Sequence, residues 1–343
     1  KGQIEVVKLL LKNDGIDINK SLNTGATPLG IACFNNQIEV VRILLNEKNV
    51  DVNKANKNGA TPFWIACSFG LVEIVKLLLS NMKVEINKVN HLGEAPLLIA
   101  CQSGHIEVVK LLIADKRVDI NQTNKNGQTA FYIACFFGHL EIVELLLNDD
   151  RININRVDTE SGRTPFYIAC YKGHFEIVKL LLNDDRIEIN KARIGGSTPF
   201  FIACQNGHIE VVKHLLSDNG VDINKPMDGG SMPFDIACEN GHTEIVKLLL
   251  NDDNIDISQS NKNGAASFYI ACQNGYLDVV KYILASERGI DTNKKWNNQK
   301  TPLEISKERS NSIQKFDWET EEEYQRAKKN FSKIVELLEL FKW

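Results

Sequence analysis

The sequence predicts an all-α stack of repeated helix-turn-helix units, and three features support this prediction. The eight cysteines recur at intervals of 34 residues, with one interval of 35, so each occupies the same position in a repeated unit. In half of these units a Thr-Pro pair marks the start of a short helix, and in most units a later glycine marks its end. A second apolar segment at helical spacing follows that glycine. A zinc site or a disulfide framework would instead show clustered and unequal cysteine spacings.

The composition excludes several classes of partner. The chain has 343 residues, of which 43% are hydrophobic and 24% are charged, as in ordinary globular proteins. The net charge of -4 provides no general attraction to nucleic acid or to an anionic membrane. Apolar runs in the sequence are too short to cross a bilayer. We therefore expect neither a nucleic-acid partner nor a membrane partner.

The second unit illustrates how each element is predicted. Thr61 supplies an N-cap hydroxyl and Pro62 suits the first helical position, so a helix begins there and ends near Gly70. A second helix is predicted over about residues 72 to 79, and Gly59 marks the tight turn that precedes the first helix. Two such short helices bury too little surface to fold alone, whereas stacked copies bury a continuous core.

These segments carry a family resemblance. Variants of TPFYIAC followed by GHxEIVKLLL recur in one register in eight copies, and they resemble the ankyrin repeat signature, whose core is T-P-L-H-x-A. The resemblance covers about residues 2 to 305. It implies an ankyrin-repeat solenoid with short β-hairpin fingers, in which first helices line a concave face and second helices cover the convex back. The chain departs from the signature because phenylalanine mostly replaces its leucine and cysteine replaces its usual alanine.

We expect three parts along the chain. Residues 1–21 form a partial repeat with only a second helix and a loop, residues 22–295 form eight repeats of 34 or 35 residues, and residues 296–343 form a diverged C-terminal capping repeat with about 20 inserted, charge-rich residues. The partial repeat leaves an apolar face uncapped. This predicts either a segment cut from a longer array or end-to-end self-association of two copies through that helix.

The sequence shows no pattern typical of catalysis. Five of the seven histidines open the second helix of successive repeats, and one histidine per repeat cannot assemble a metal site. Nucleotide-binding, hydrolase and metalloprotease signatures are absent from the sequence. We therefore expect a protein that is not an enzyme and that has no cofactor and no metal. Reduced, buried cysteines fit an intracellular location, in the cytoplasm.

Charged residues also recur outside the helices. The loop after the second helix often reads Asn-Asp-Asp, as at 148–150, and the fingers carry lysines at 57, 125 and 262. These residues form rows along the edge of a stack. Such rows either are simply solvated or steer a charged partner towards the array.

The positions that differ between repeats are the candidate binding residues. Family geometry places the two residues after each cysteine in the groove, and the position four residues before the first of them lies on nearly the same helical face. Together these positions predict an aromatic patch for protein binding, because aromatic side chains are frequent interface anchors. Its residues are Phe34, Trp64, Phe69, Tyr132, Phe136, Phe137, Tyr167, Tyr171 and Phe201.

Two interpretations of this patch remain open. The rings of Trp64, Tyr132 and Tyr167 could instead fill the seam between neighbouring repeats. Phe136 and Phe137 favour the partner interpretation, because in every other repeat the equivalent pair includes at least one polar or small residue. The core therefore does not require two rings at this position.

The sequence thus favours a non-catalytic scaffold that binds an unknown protein partner through the concave face and the fingers. One alternative is a structural spacer or spring within a longer multi-repeat protein, which the uniform QN, EN and QN pairs of repeats six to eight support. Another alternative is the targeting array of an enzyme whose catalytic domain lies outside this chain.

Overall fold

The chain folds into helices joined by tight turns and loops. The computed structural model describes residues 2–13, 15–257, 267–286, 288, 293, 295, 300–314 and 320–340. Two compact units are present: the first comprises residues 1–168 with 183–187, and the second comprises residues 169–182 with 188–343. Across the described residues no extended strand is assigned, so the β-hairpin form expected for the fingers is not confirmed. These segments are tight turns.

The first unit is built from paired short helices. They are α1 Gly2–Leu11, α2 Pro28–Phe34, α3 Ile38–Leu45, α4 Pro62–Ser68, α5 Val72–Leu79, α6 Pro96–Gln102, α7 Ile106–Ala114, α8 Ala130–Phe137 and α9 Leu140–Leu147. The helix α10, Pro165–Lys172, begins in the first unit and ends in the second. First helices pack in the order α2, α4, α6 and α8, and second helices pack in the order α1, α3, α5, α7 and α9.

The predicted helix signals form the caps of these helices. Thr61 Oγ1 accepts a hydrogen bond from the Trp64 backbone N–H at 3.0 Å, and Pro62 occupies the first helical turn. The backbone turns at Gly70, where φ is +67°. These local signals therefore determine where each first helix begins and ends.

The tight turns are linked by one backbone hydrogen bond per repeat. The N–H of His91 donates to the carbonyl of Asn58 at 3.0 Å, and the N–H of Lys125 donates to that of Leu92 at 3.3 Å. Gly59 has a φ of +79°, and a Cβ on it would lie only 2.7 Å from the backbone nitrogen of His91. Glycine is required there both by the backbone conformation and by the close approach of the next turn.

The core of the first unit lies between its two helix layers. Phe63 and Phe131, which follow the helix start in their repeats, are almost completely buried. The cysteines are buried beside them, and all eight in the chain are free. Burial raises the pKa of Cys33 to about 12, and it also raises the pKa of Cys67 well above its ordinary value. Phenylalanine and cysteine thus fill this core as large and small apolar groups, respectively.

The second unit repeats the same arrangement. Its helices are α11 Phe175–Leu182, α12 Pro199–Gln205, α13 Ile209–Leu216, α14 Pro233–Glu239, α15 Thr243–Leu250, α16 Ser267–Asn274, α17 Leu277–Ala285, α18 Pro302–Ser312 and α19 Glu321–Leu340. First helices pack in the order α12, α14, α16 and α18, and second helices pack in the order α11, α13, α15, α17 and α19. The twenty-residue α19 takes the place of a short second helix.

Arginine clamps join the loops that follow the second helices. Arg151 donates from Nε and Nη2 to the two carboxylate oxygens of Asp149 at 2.9 and 2.6 Å, and Nη2 also reaches the carbonyl of Ile113 in the preceding repeat at 2.8 Å. The hydrogen bonds from Arg151 lower the pKa of Asp149. The first acid of this loop is therefore part of the contact between repeats, whereas Asp150 is exposed. Equivalent pairs are Arg117 with Asp115 and Arg186 with Asp184.

Candidate functional site

A cleft of about 330 Å³ lies in the first unit, beside α6 and α8 and the turns that precede them. Its apolar wall consists of Ile133, Phe136, Phe137 and Leu92. Its polar lining consists of Glu94, Gln102, Asn124, Lys125, Asn126 and Gln128. Apolar surface framed by amide and charged groups is typical of a docking site for another molecule.

The two phenylalanines that the sequence singles out form one wall of this cleft. Their ring centroids are 5.0 Å apart at an interplanar angle of 63°, an edge-on contact. Phe137 is 45% exposed, whereas Phe136 is half-buried. Phe137 also stacks on the ring of His139, with centroids 6.3 Å apart. These contacts hold the two rings in place while leaving part of Phe137 open to solvent.

A second aromatic pair lies at the ends of α2 and α4. The rings of Phe34 and Phe69 meet edge-on with centroids 5.2 Å apart, although they belong to different repeats. Phe34 is 59% exposed and Phe69 is 51% exposed. The prediction that both residues lie on the surface is therefore confirmed, while their role in binding stays a prediction.

Four other residues of the predicted patch are buried or half-buried. Tyr132, Tyr167 and Phe201 are buried, so the expectation that they line an exposed patch is wrong. The hydroxyl of Tyr132 donates to Asp158 Oδ2 of the next repeat at 2.9 Å. Trp64 is half-buried, and its Nε1 donates to the carbonyl of Glu94 at 3.0 Å. The seam interpretation holds for Trp64 and Tyr132, because each side chain donates a hydrogen bond to the following repeat.

Tyr171 belongs to the second unit and is 36% exposed. The ammonium group of Lys172 lies 5.6 Å from the centroid of its ring. The backbone carbonyl of Tyr171 accepts hydrogen bonds from Asn206 Nδ2 at 2.8 Å and from His208 Nε2 at 2.9 Å. This residue is therefore partly accessible and contributes its backbone to the contact with the next repeat.

Leu92 is a site residue that the sequence analysis missed. It is 64% exposed in the turn before α6, and it faces the same cleft as Phe136 and Phe137. The equivalent positions in the neighbouring repeats are Asn58 and Asn126, which are polar. The sequence signal for this position is an apolar residue in a turn whose equivalents in the neighbouring repeats are polar.

The histidines that open the second helices have a structural role. His105 Nε2 hydrogen-bonds the carbonyl of Ser68 at 3.0 Å, and His139 does the same with Gln102 at 3.1 Å. The ring of His105 also packs against Gly70, where a Cβ would lie 2.6 Å from Nδ1. Glycine and histidine therefore recur together because the histidine covers the glycine of the preceding repeat, as His139, His208 and His242 also do.

In the part of the chain that the structure describes, no group of three or more histidine, cysteine, aspartate or glutamate side chains is arranged to hold a metal ion. In the same part of the chain, no helix has both the length and the apolar character needed to span a bilayer.

Comparison with known proteins agrees with this geometry. A family model described as ankyrin repeats (3 copies) matches residues 1–90, 82–158, 152–227 and 225–296. A search of curated proteins gave no significant match. Ankyrin repeats generally mediate protein–protein interaction, and their fold is typically non-catalytic. With matches over most of its length, the chain belongs to the ankyrin repeat family.

Proposed function

We propose that this chain is a non-catalytic protein-binding scaffold whose first unit docks a partner protein. The observation that carries the proposal is the cleft beside α8, where Phe136, Phe137 and Leu92 present apolar surface at positions that other repeats mostly fill with polar side chains. Exposed apolar surface with a polar rim is typical of protein interfaces. The tight turns around the cleft, rather than strands, supply its outer edge.

The geometry of the cleft supports binding without large rearrangement. The Phe136 and Phe137 rings contact each other, and His139 stacks on Phe137, so little side-chain freedom remains to be lost when a partner binds. Glu94, Lys125 and Gln128 surround the rings with charged and amide groups. We assign the rings to the apolar centre of the interface and these polar groups to its rim.

A structural role is the second candidate, and it applies to the second unit. The amide Nδ2 of Asn206 donates to the Tyr171 carbonyl at 2.8 Å, and Nδ2 of Asn274 donates to the Glu239 carbonyl at 3.0 Å. The asparagine two positions after the cysteine therefore links consecutive repeats at Asn206 and Asn274, whereas Asn240 donates to the Ile236 carbonyl of its own helix at 2.8 Å. This supports a spacer function for the second unit, within a protein that the free cysteines suit to the cytoplasm.

End-to-end pairing of two copies through α1 is a further proposal. Val6, Leu9 and Leu10 on this helix are more than half exposed. Burial of this apolar surface against a second copy would stabilise a dimer. Sedimentation analysis tests this directly: we expect dimers that Leu9→Glu dissociates, and a monomer at all concentrations contradicts the pairing.

Affinity capture tests the main proposal. The wild-type chain and the variant Phe136→Gln/Phe137→Asn, which carries the pair found in repeat six, are used to capture proteins from a lysate of the source cells. The matched control is Gln205→Ser/Asn206→Ser, at the same two positions of repeat six. We expect the first variant to lose a partner that the wild type and the control retain, with unchanged circular dichroism. Identical captures by all three proteins would refute the proposal.

A further inference from the structure

Two apolar anchors lie on the first unit. The first anchor is the edge-on pair Phe34 and Phe69, and the second anchor is the cleft wall formed by Phe136, Phe137 and Leu92. Between them, the repeat that contains α6 has the polar pair Gln102 and Ser103 in the equivalent positions. The first unit thus presents two separate apolar contacts divided by one polar repeat.

The spacing of the helices sets the distance between the anchors. The first anchor lies at the ends of α2 and α4, and the second lies beside α6 and α8. Neighbouring helices pack about 8–10 Å apart, so two helix spacings correspond to about 16–20 Å. An extended chain advances about 3.3 Å per residue and covers this distance in about five or six residues.

The lining of the second anchor suits an extended chain. Gln102 and Asn126 place side-chain amides in the cleft, and an amide both donates and accepts hydrogen bonds. The amides of Asn124 and Gln128 bind each other, with Nδ2 of Asn124 donating to Oε1 of Gln128 at 2.9 Å. An extended segment has backbone N–H and C=O groups that need such partners, whereas a helix satisfies most of its own. The amide-rich lining therefore favours an extended segment over a helix.

The charges near the anchors add a further constraint. Lys57 and Lys125 each lie twelve residues before an anchor ring, Phe69 and Phe137 respectively, so they have equivalent positions in their repeats. Both lysines are exposed, and neither forms an ion pair within the part of the chain that the structure describes. The nearby carboxylate of Glu94 accepts a hydrogen bond from Asn90 Nδ2 at 2.6 Å. Each anchor thus has a lysine available to an acidic group of a partner.

We infer that the first unit binds an extended segment of its partner protein in which two apolar residues stand five or six positions apart, each beside an aspartate or glutamate. The apolar residues occupy the two anchors, and the acidic residues face Lys57 and Lys125. The segment crosses Gln102 and Ser103 between the anchors. This inference rests on the proposed function and specifies the chemistry of the partner.

Peptide display tests the inference on the full chain. A library of random twelve-residue peptides is selected on the wild-type protein and counter-selected on Phe69→Asn/Phe137→Asn. Asparagine is the residue that repeats one and six carry at this position, as Asn35 and Asn206, so the variant should fold. We expect enriched peptides to carry two apolar residues at a spacing of five or six, with adjacent acidic residues. Enrichment of peptides with one apolar residue or with helical spacing overturns the inference, as does failure to enrich any peptide over the variant.

Fluorescence anisotropy with an enriched peptide then measures each contact. We expect about a tenfold or greater loss of affinity for Phe69→Asn and for Phe137→Asn separately, and no loss for Asn206→Ser. Lys57→Ala and Lys125→Ala should weaken the salt dependence of binding. If only one of the two phenylalanine variants weakens binding, the two-anchor arrangement is wrong. If affinity capture depends on Phe136 and Phe137 but the display fails, this inference falls while the proposed function stands.

Discussion

The carboxylate of Asp235 should make the second unit lose stability as the pH rises. This side chain is 2% exposed at the start of α14, where Oδ2 accepts from the Met232 backbone N–H at 2.9 Å and Oδ1 accepts from the Ser267 hydroxyl of the next repeat. Burial raises the pKa of Asp235 from 3.8 to about 6, and the nearby carboxylates of Glu239 and Asp256 add to the effect.

The sign and the size of the effect follow from this shift in pKa. Between about pH 4 and pH 6 the folded protein retains a proton on Asp235 that the unfolded chain has released. The stabilisation is therefore fully present below the unfolded pKa and is lost as the pH rises through the folded pKa. A shift of about two pKa units corresponds to about 3 kcal/mol, or roughly a hundredfold change in the opening equilibrium.

Asp235→Asn removes this titration while preserving the hydrogen bonds. The asparagine oxygen accepts from Met232, and its amide donates to the Ser267 hydroxyl. Hydrogen exchange of the α14 amides, measured by mass spectrometry from pH 4 to pH 7.5, gives the free energy of local opening. We expect the wild type to lose up to about 3 kcal/mol relative to the variant across this range.

The control for this experiment is Asp253→Asn, which changes an exposed carboxylate of the same unit. Its opening free energy should follow that of the wild type at every pH. The reasoning fails if the wild type and Asp235→Asn differ in opening free energy by the same amount at every pH from 4 to 7.5. The carboxylate would then not titrate as its burial implies.

Three other predictions concern the contacts between repeats and the buried thiols. Arg151→Lys should lower the free energy of unfolding by about 1 kcal/mol in urea titrations, because lysine cannot bind Asp149 through two hydrogen bonds and also reach the Ile113 carbonyl; an unchanged midpoint would contradict the clamp. Tyr132→Phe should cost about 1–2 kcal/mol, because Asp158 loses a buried hydrogen-bond donor; an equally stable variant would show that this bond contributes nothing net. The eight cysteines should react slowly with Ellman's reagent in the folded protein and completely in guanidinium without reductant, since all are free and buried; fast reaction before unfolding would disprove their burial.

Local signals predicted the positions of the helices well. Thr61, Pro62 and Gly70 bound α4 as expected, and the second helix of that repeat spans Val72–Leu79. Hydroxyl caps, proline and left-handed glycine act within one helical turn, so their effect can be read from neighbouring residues. The β-hairpin form of the fingers came from the family resemblance alone, and it is not confirmed in the described residues.

The candidate site was predicted in part. Phe34, Phe69 and Phe137 lie on the surface as expected, and Phe136 is half-buried, because two positions after each cysteine lie at the open end of the first helix. Tyr132 is buried, and its hydroxyl donates a hydrogen bond to Asp158 of the next repeat. Burial at that position depends on a partner 26 residues away, and one helical face cannot reveal it.

The sequence alone determined the repeat, the register and the family, because these depend on spacing and on the local conformational preferences of threonine, proline and glycine. Only the tertiary structure decided which aromatic rings are accessible, which acids are held by arginine and where Leu92 meets Phe137. Such properties depend on what a neighbouring repeat places against a side chain. They arise from atoms that are distant in sequence and adjacent only after folding.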